Sequence, residues 1–275
     1  MKISPIQLLI WAVCVTFTCT AEIQSNDRQD NHRISEPLNK VYVIAHRGAH
    51  DKAPENSLPA YQKAVDMGCD YVEIDVRITQ DGRLVSFHNG NLDAYGIKSS
   101  VEDLSLNELR KIDIGEKCGK QWKHTRIPTV DEIFQLCKGK ISVYLDLKTA
   151  PIDSLMKYVQ KYGMENQVLW YIPFSHFKGK PNFNLYVVLQ KSFLMPDTDT
   201  ENFIDSIFAQ NQVSMIASDI EHIDSSFVQK VHTHNALLFV DDRYGTIDEW
   251  KKMIDLGVDG IQTDHPQELI TLLKK

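Results

Sequence analysis

Short apolar, β-branched runs alternate with helical stretches along most of the chain, and this alternation restricts it to an α/β fold built on a mainly parallel sheet. The first unit is Val41–Ala45, a buried strand, followed by a helix that Asn56 or Ser57 caps and Gly68 stops, and then by a strand at Tyr71–Val76. After Pro128 the pattern is regular. Strands are expected at Ile141–Leu147, Val168–Ile172, Leu185–Leu189, Ser214–Ala217, Leu237–Val240 and Gly260–Thr263. Helices are expected at Thr129–Cys137, Ile152–Tyr162, Glu201–Gln210, Ser225–His234, Ile247–Leu256 and Gln267–Leu273. Arg83–His88 follows the second strand too closely for a parallel crossover, so it must return antiparallel. Without that hairpin strand the count is eight, the number of a (β/α)8 barrel, and 275 residues suffice for one such domain. Residues 89–126 are long for a loop and are read as a functional insertion after the second strand, with one short helix at Val101–Ile112.

The first residues carry a lysine, an apolar segment from about Ile6 to Phe17 and small residues before Glu22. That is a signal-peptide layout (residues 1–21), followed by a polar tether (22–39) and the main domain (40–275), so an exported protein, periplasmic or secreted, is expected. Cys19 offers a second reading, a lipid-bearing thiol that tethers the chain to a membrane, although Thr16-Phe17-Thr18 is a poor lipobox. Of the five cysteines, Cys14 and Cys19 fall in this leader. Cys69, Cys118 and Cys137 have no metal-type spacing, and Cys69 and Cys137 are read as small buried residues. A net charge of -7 and the absence of Lys/Arg runs interleaved with aromatics argue against a nucleic-acid groove, and nothing calls for an obligate protein partner.

The chemistry concentrates between Val41 and His88. His46, Arg47 and Gly48 lie where the first strand ends. Glu73 and Asp75 share one face of the second strand, and two buried carboxylates that close are costly unless a cation lies between them. Asp81-Gly82 favours a two-residue hairpin turn, which would pair Gln80 with Arg83 and set Asp75 opposite His88. Val72, Ile74 and Val76 suit the opposite, helix-covered side.

Four motifs in this order and spacing, His46-Arg47-Gly48, Pro54-Glu55-Asn56-Ser57, Glu73-Ile74-Asp75-Val76 and Phe87-His88, resemble the glycerophosphodiester phosphodiesterase family. The resemblance extends through Ile127-Pro128-Thr129, Leu145-Asp146-Leu147-Lys148 and Gly260-Ile261-Gln262-Thr263-Asp264. It implies a closed barrel and hydrolysis of a small glycerophosphodiester to glycerol phosphate and an alcohol. It also implies one divalent cation, Ca2+ or Mg2+, held by Glu73, Asp75 and Asp146. The family usually has Glu where Asp146 stands, which shortens the reach. His46 is assigned as general base and His88 as leaving-group acid, roles that could exchange. Arg47 and Lys148 contact phosphate, and Glu55 orients an imidazole or joins the metal shell. Attack is by water, or by a neighbouring substrate hydroxyl through a cyclic phosphate. His50, His124, His176, His222, His232, His234 and His265 are read as surface, turn or cap residues. The chain departs from the family after His88, at Asn89-Gly90-Asn91, and at Phe239-Val240-Asp241-Asp242, so the alcohol is open. Alternatives are a lipid phosphodiesterase for lysophospholipids or phosphoinositides, with Tyr95, Trp122 and Trp170 as an apolar ramp, and a surface protein binding phosphodiesters or glycans without turnover.

Overall fold

The structure is a computed structural model that describes residues 36–38, 41–173, 193–210, 213–242 and 245–274. The leader, most of the tether, His176 and the expected strand Leu185–Leu189 lie outside these residues. In chain order the strands are β1 (Tyr42–Ala45), β2 (Tyr71–Ile78), β3 (Leu84–Ser86), β4 (Asn91–Leu92), β5 (Ile97–Ser100) and β6 (Ser142–Leu147). They continue with β7 (Val168–Tyr171), β8 (Phe193–Met195), β9 (Met215–Asp219), β10 (Leu237–Asp241) and β11 (Gly260–Thr263). Eight of them form one parallel sheet in the order β8-β7-β6-β2-β1-β11-β10-β9. Its two ends meet: Asp197 and Ala217 form a parallel bridge, with Thr198 N–H donating to Ala217 O at 3.0 Å and Ala217 N–H to Pro196 O at 2.9 Å. The sheet is therefore a closed (β/α)8 barrel.

Strand periodicity divides the apolar side chains between two cores. Val43, Val72, Ile74, Val76, Val143 and Leu145 point outward and pack against the helices, through Tyr61, Ala64, Phe134 and Trp250 among others. Tyr42, Ile44, Tyr71, Tyr144, Met215 and Phe239 point inward and fill one end of the barrel. Phe239 lies across Gly260, where a Cβ would come within 2.6 Å of its ring. With that end plugged, the polar inward residues nearer the strands' carboxyl ends have a floor beneath them, at the face where sites on this fold sit. The helix Leu58–Met67 begins and ends as its sequence dictates: Ser57 accepts from Ala60 N–H, and Gly68 adopts the left-handed conformation at φ 77°.

Two local expectations are corrected. The segment Val101–Ile112 is not one helix but a 3-10 turn, Val101–Asp103, and a single α-turn, Leu106–Leu109. Ser100 and Ser105 each open a capping box, with Asp103 and Glu108, so the second cap interrupts the first helical start. The insertion closes over its own small core of Phe87, Leu92, Val101, Leu109, Ile112 and Ile114. The β2–β3 turn holds three residues rather than two. Thr79 N–H donates to Arg83 O at 2.9 Å, and of Gln80, Asp81 and Gly82 only Gly82 has positive φ. Asp81 explains this, because its Oδ1 accepts from the Thr79 hydroxyl at 2.6 Å and from Leu106 N–H at 2.9 Å instead of entering a two-residue turn. Val76 therefore faces Ser86, and the last ladder bond runs from Phe87 N–H to Asp75 O at 3.0 Å. Asp75 is level with Phe87, one residue short of His88.

Candidate active site

Parallel register places the acids. Asp75 on β2 is the partner of Asp146 on β6, and Glu73 lies one inward position below, so an oxygen from each of the three lies within 4.8 Å of the others. Glu73 and Asp75 are 2% and 1% exposed. Burial drives the Glu73 carboxyl well above the usual range, and the charges of Asp75 and Asp146 push it the same way. Burial raises Asp146 too, against the pull of Lys148. Glu73 Oε2 accepts from Arg47 N–H at 2.7 Å, while Oε1 has no hydrogen-bond partner among the described residues. Lys148 Nζ reaches Asp146 Oδ2 at 2.7 Å and Asp75 Oδ1 at 3.1 Å. Burial works against that ammonium, but the two carboxylates outweigh it and its pKa is raised. The Arg47 guanidinium adds a second positive charge, its Nε 3.7 Å from Asp75 Oδ2, yet two cations against three acids, one cation also engaged by Glu55, leave the cluster short of positive charge. A hard divalent cation suits this all-carboxylate donor set and the orphaned buried oxygen of Glu73.

The bend after β1 is equally specific. Arg47 has φ 52° and Gly48 φ 85°, and a Cβ on Gly48 would sit 2.8 Å from that of Ala60. Glu73 holds this bend through the Arg47 amide, so the acid cluster and the first imidazole share one scaffold. Behind Asp75, Asn56 donates to its Oδ2 at 2.7 Å and accepts from the Tyr61 and Ser86 hydroxyls at 2.9 and 2.7 Å. The Asp75 carboxylate is thus held by Asn56, which Tyr61 and Ser86 hold in turn, and all three are buried.

His46 and His88 line one cavity of about 670 Å³ together with Asp146 and Lys148. His46 Nδ1 lies 2.6 Å from Asp264 Oδ1, and His50 Nε2 lies 3.0 Å from the same oxygen. Burial alone would raise the Asp264 carboxyl, but hydrogen bonds from the two imidazoles prevail and hold it well below the usual range. An ionised carboxylate can only accept, so the His46 tautomer that suits this contact carries its hydrogen on Nδ1. His88 is half-buried, its Nδ1 3.1 Å from Asn89 Oδ1, and burial lowers its pKa against the charge of Asp75.

Three expected roles change. Glu55 neither orients an imidazole nor joins the acid cluster, since its carboxylate, 45% exposed, takes Arg47 Nη1 at 3.0 Å from the outer side. His50 is not a surface residue but a second donor to Asp264. Trp170 is fully buried in the outward core and cannot form a ramp, whereas Tyr95 packs with Phe87 inside the insertion. Asp264 closes the Gly260–Asp264 motif, whose sequence assigns it no role, and His50 carries no local signal. Cys69 and Cys137 are buried thiols, and the thiol of Cys118 is free.

A model of the family described as "Glycerophosphoryl diester phosphodiesterase family" matches residues 46–182. A glycerophosphodiester phosphodiesterase of Caldanaerobacter subterraneus is 29% identical over 253 residues, covering 86% of this chain and 99% of that protein. YhdW of Bacillus subtilis, provisionally named for the same activity, is 30% identical over 249 residues, covering 84% and 97%. A phosphodiesterase of Oleispira antarctica, solved with the product sn-glycerol-3-phosphate, superposes with a TM-score of 0.73 at 20% identity, covering 85% of this chain and 97% of that one.

Proposed function

The chain belongs to the glycerophosphoryl diester phosphodiesterase family, and from that premise we propose that it hydrolyses glycerophosphodiesters to sn-glycerol 3-phosphate and an alcohol. One observation carries the reading: three carboxylates, two imidazoles, Arg47 and Lys148 meet at the carboxyl end of a single barrel. Arg47 and Lys148 attract and orient the anionic diester, the first through its planar fork. Glu73, Asp75 and Asp146 would hold a divalent cation, Ca2+ or Mg2+. When bound, that ion polarises the phosphoryl oxygens and offsets charge gathering on them.

Asp264 fixes the His46 tautomer, so His46 Nε2 takes the proton of the attacking hydroxyl, of water or of the substrate's glycerol, as the new P–O bond forms. His88 gives its proton to the alcohol oxygen as the old P–O bond breaks. Where the attacker is the glycerol hydroxyl, the cyclic phosphate so formed is opened by water, whose proton passes to His88 as its P–O bond forms while His46 returns a proton to the ring oxygen as that P–O bond breaks. An exported enzyme, freed of residues 1–21, accords with the leader-like start, and the intact mass of secreted protein checks it.

The lysophospholipid reading is disfavoured, because Trp170 is buried and the described cavity wall is mainly polar. A binding protein without turnover would have lost a catalytic group, and both histidines are present. Phosphorus NMR of reactions with glycerophosphocholine, glycerophosphoethanolamine and glycerophosphoglycerol tests the proposal. Growth of the sn-glycerol 3-phosphate signal with Ca2+ or Mg2+, and its loss after verified metal removal, is expected. Release of the phosphorylated head group instead, or no turnover of any diester, would reject it.

A further inference from the structure

Arg77 occupies the inward position of β2 next above Asp75, at the mouth of the barrel, and its side chain is only 11% exposed. Its Nε donates to Phe87 O at 2.9 Å and lies 3.2 Å from His88 O, which also accepts from Nη2 at 2.7 Å. Nη1 donates to Glu102 Oε1 at 2.9 Å. In a regular strand, successive carbonyls point in opposite directions. Two successive carbonyls converging on one guanidinium mean that the chain has left the β3 ladder at Phe87–His88. That departure matters for His88. With the observed register, strict alternation would turn its imidazole to the same side as outward-facing Ser86, away from the cavity. Instead His88 lines the cavity with His46.

Glu102 is the other end of the clamp. Its Oε1 also accepts from the Thr149 hydroxyl at 2.8 Å, and Thr149 follows Lys148 directly at the end of β6. The guanidinium therefore ties the His88 backbone, the insertion and the loop bearing Lys148 to one point.

We propose that Arg77 is a positioning residue that aims His88 at the departing alcohol oxygen by clamping the Phe87 and His88 carbonyls. The proposal rests on His88 being the leaving-group acid, and leaving-group chemistry tests both separately. An alkoxide such as that of ethanolamine needs a proton as its P–O bond breaks, whereas p-nitrophenolate does not. Arg77→Met and Arg77→Lys are measured on glycerophosphoethanolamine and on glycerophospho-p-nitrophenol. On the ethanolamine diester, kcat is expected to fall about 10²-fold with KM within about threefold, while on the nitrophenyl diester kcat stays within a few-fold of wild type. Lysine is not expected to rescue, because one ammonium lacks the fork that serves two carbonyls and Glu102 together. Glu102→Gln, which leaves the carbonyl bonds in place, should show the same substrate selectivity at a few-fold loss, and it carries the test if the Arg77 variants fail to fold. If His88→Ala shows the selective loss but the Arg77 variants lose both substrates equally, or neither, the acid assignment stands and the proposal is overturned. If His88→Ala itself loses both equally, the acid assignment fails and the proposal falls with it.

Discussion

Replacing His88 by alanine is expected to lower kcat on an alkyl glycerophosphodiester by about 10²- to 10⁴-fold with little change in KM. His46→Ala should fall in the same range, and the double variant should be little worse than either, because acid and base serve one event. The structure gives His88 a second signature. Burial depresses its pKa, Arg47 and Lys148 depress it further, and Asp75 opposes them. A bound diester's negative charge also works to restore it. A general acid acts only while protonated, so kcat should decline as pH rises through the pKa of His88 in the complex. His88→Ala should lack that limb. Steady-state kinetics across pH check both statements, and wild-type activity in either alanine variant would reject the acid and base assignment.

Glu73→Gln is expected to abolish measurable turnover while making the metal-free protein more stable. Glu73 is buried beside two further carboxylates, and burial above all makes its ionised form costly. Glutamine removes that charge, can still accept from the Arg47 amide, and offers its own N–H to the neighbouring acids. A gain on the order of 1 kcal/mol would raise Tm by roughly 2–4 °C for a domain of this size. In the wild type, Ca2+ or Mg2+ should stabilise the fold through linkage by about 2.7 kcal/mol at a hundred times Kd and so raise Tm, and Glu73→Gln should lose most of that response. Scanning calorimetry with and without chelator reads all three. A less stable metal-free variant, or a wild type indifferent to divalent ions, would contradict this account of the cluster.

Much of the barrel follows from local signals. Ser57 and Gly68 delimit their helix, and period-two alternation places Glu73 and Asp75 inside with Val72, Ile74 and Val76 outside. Asp146 joins them because parallel pairing sets strand end beside strand end. What escaped was decided by single side chains. A carboxylate at Asp81 prefers Thr79 and Leu106 to a two-residue turn, and this moves the β3 register by one residue. Asp264 and His50 meet across 214 positions of sequence, a pairing that no local pattern encodes. Arg77 reads as an ordinary strand residue until the carbonyls it gathers are seen. The Ser105 to Glu108 capping box is legible in the sequence, and it is what divides the helix expected at Val101–Ile112.

A crystal structure of the protein grown with Ca2+ and sn-glycerol 3-phosphate tests the central claim most directly. The account predicts one cation ligated by Glu73, Asp75 and Asp146, with the phosphorus between the imidazoles of His46 and His88. A cation seated instead among Asp199, Asp219 and His222, with phosphate touching neither imidazole, would contradict it.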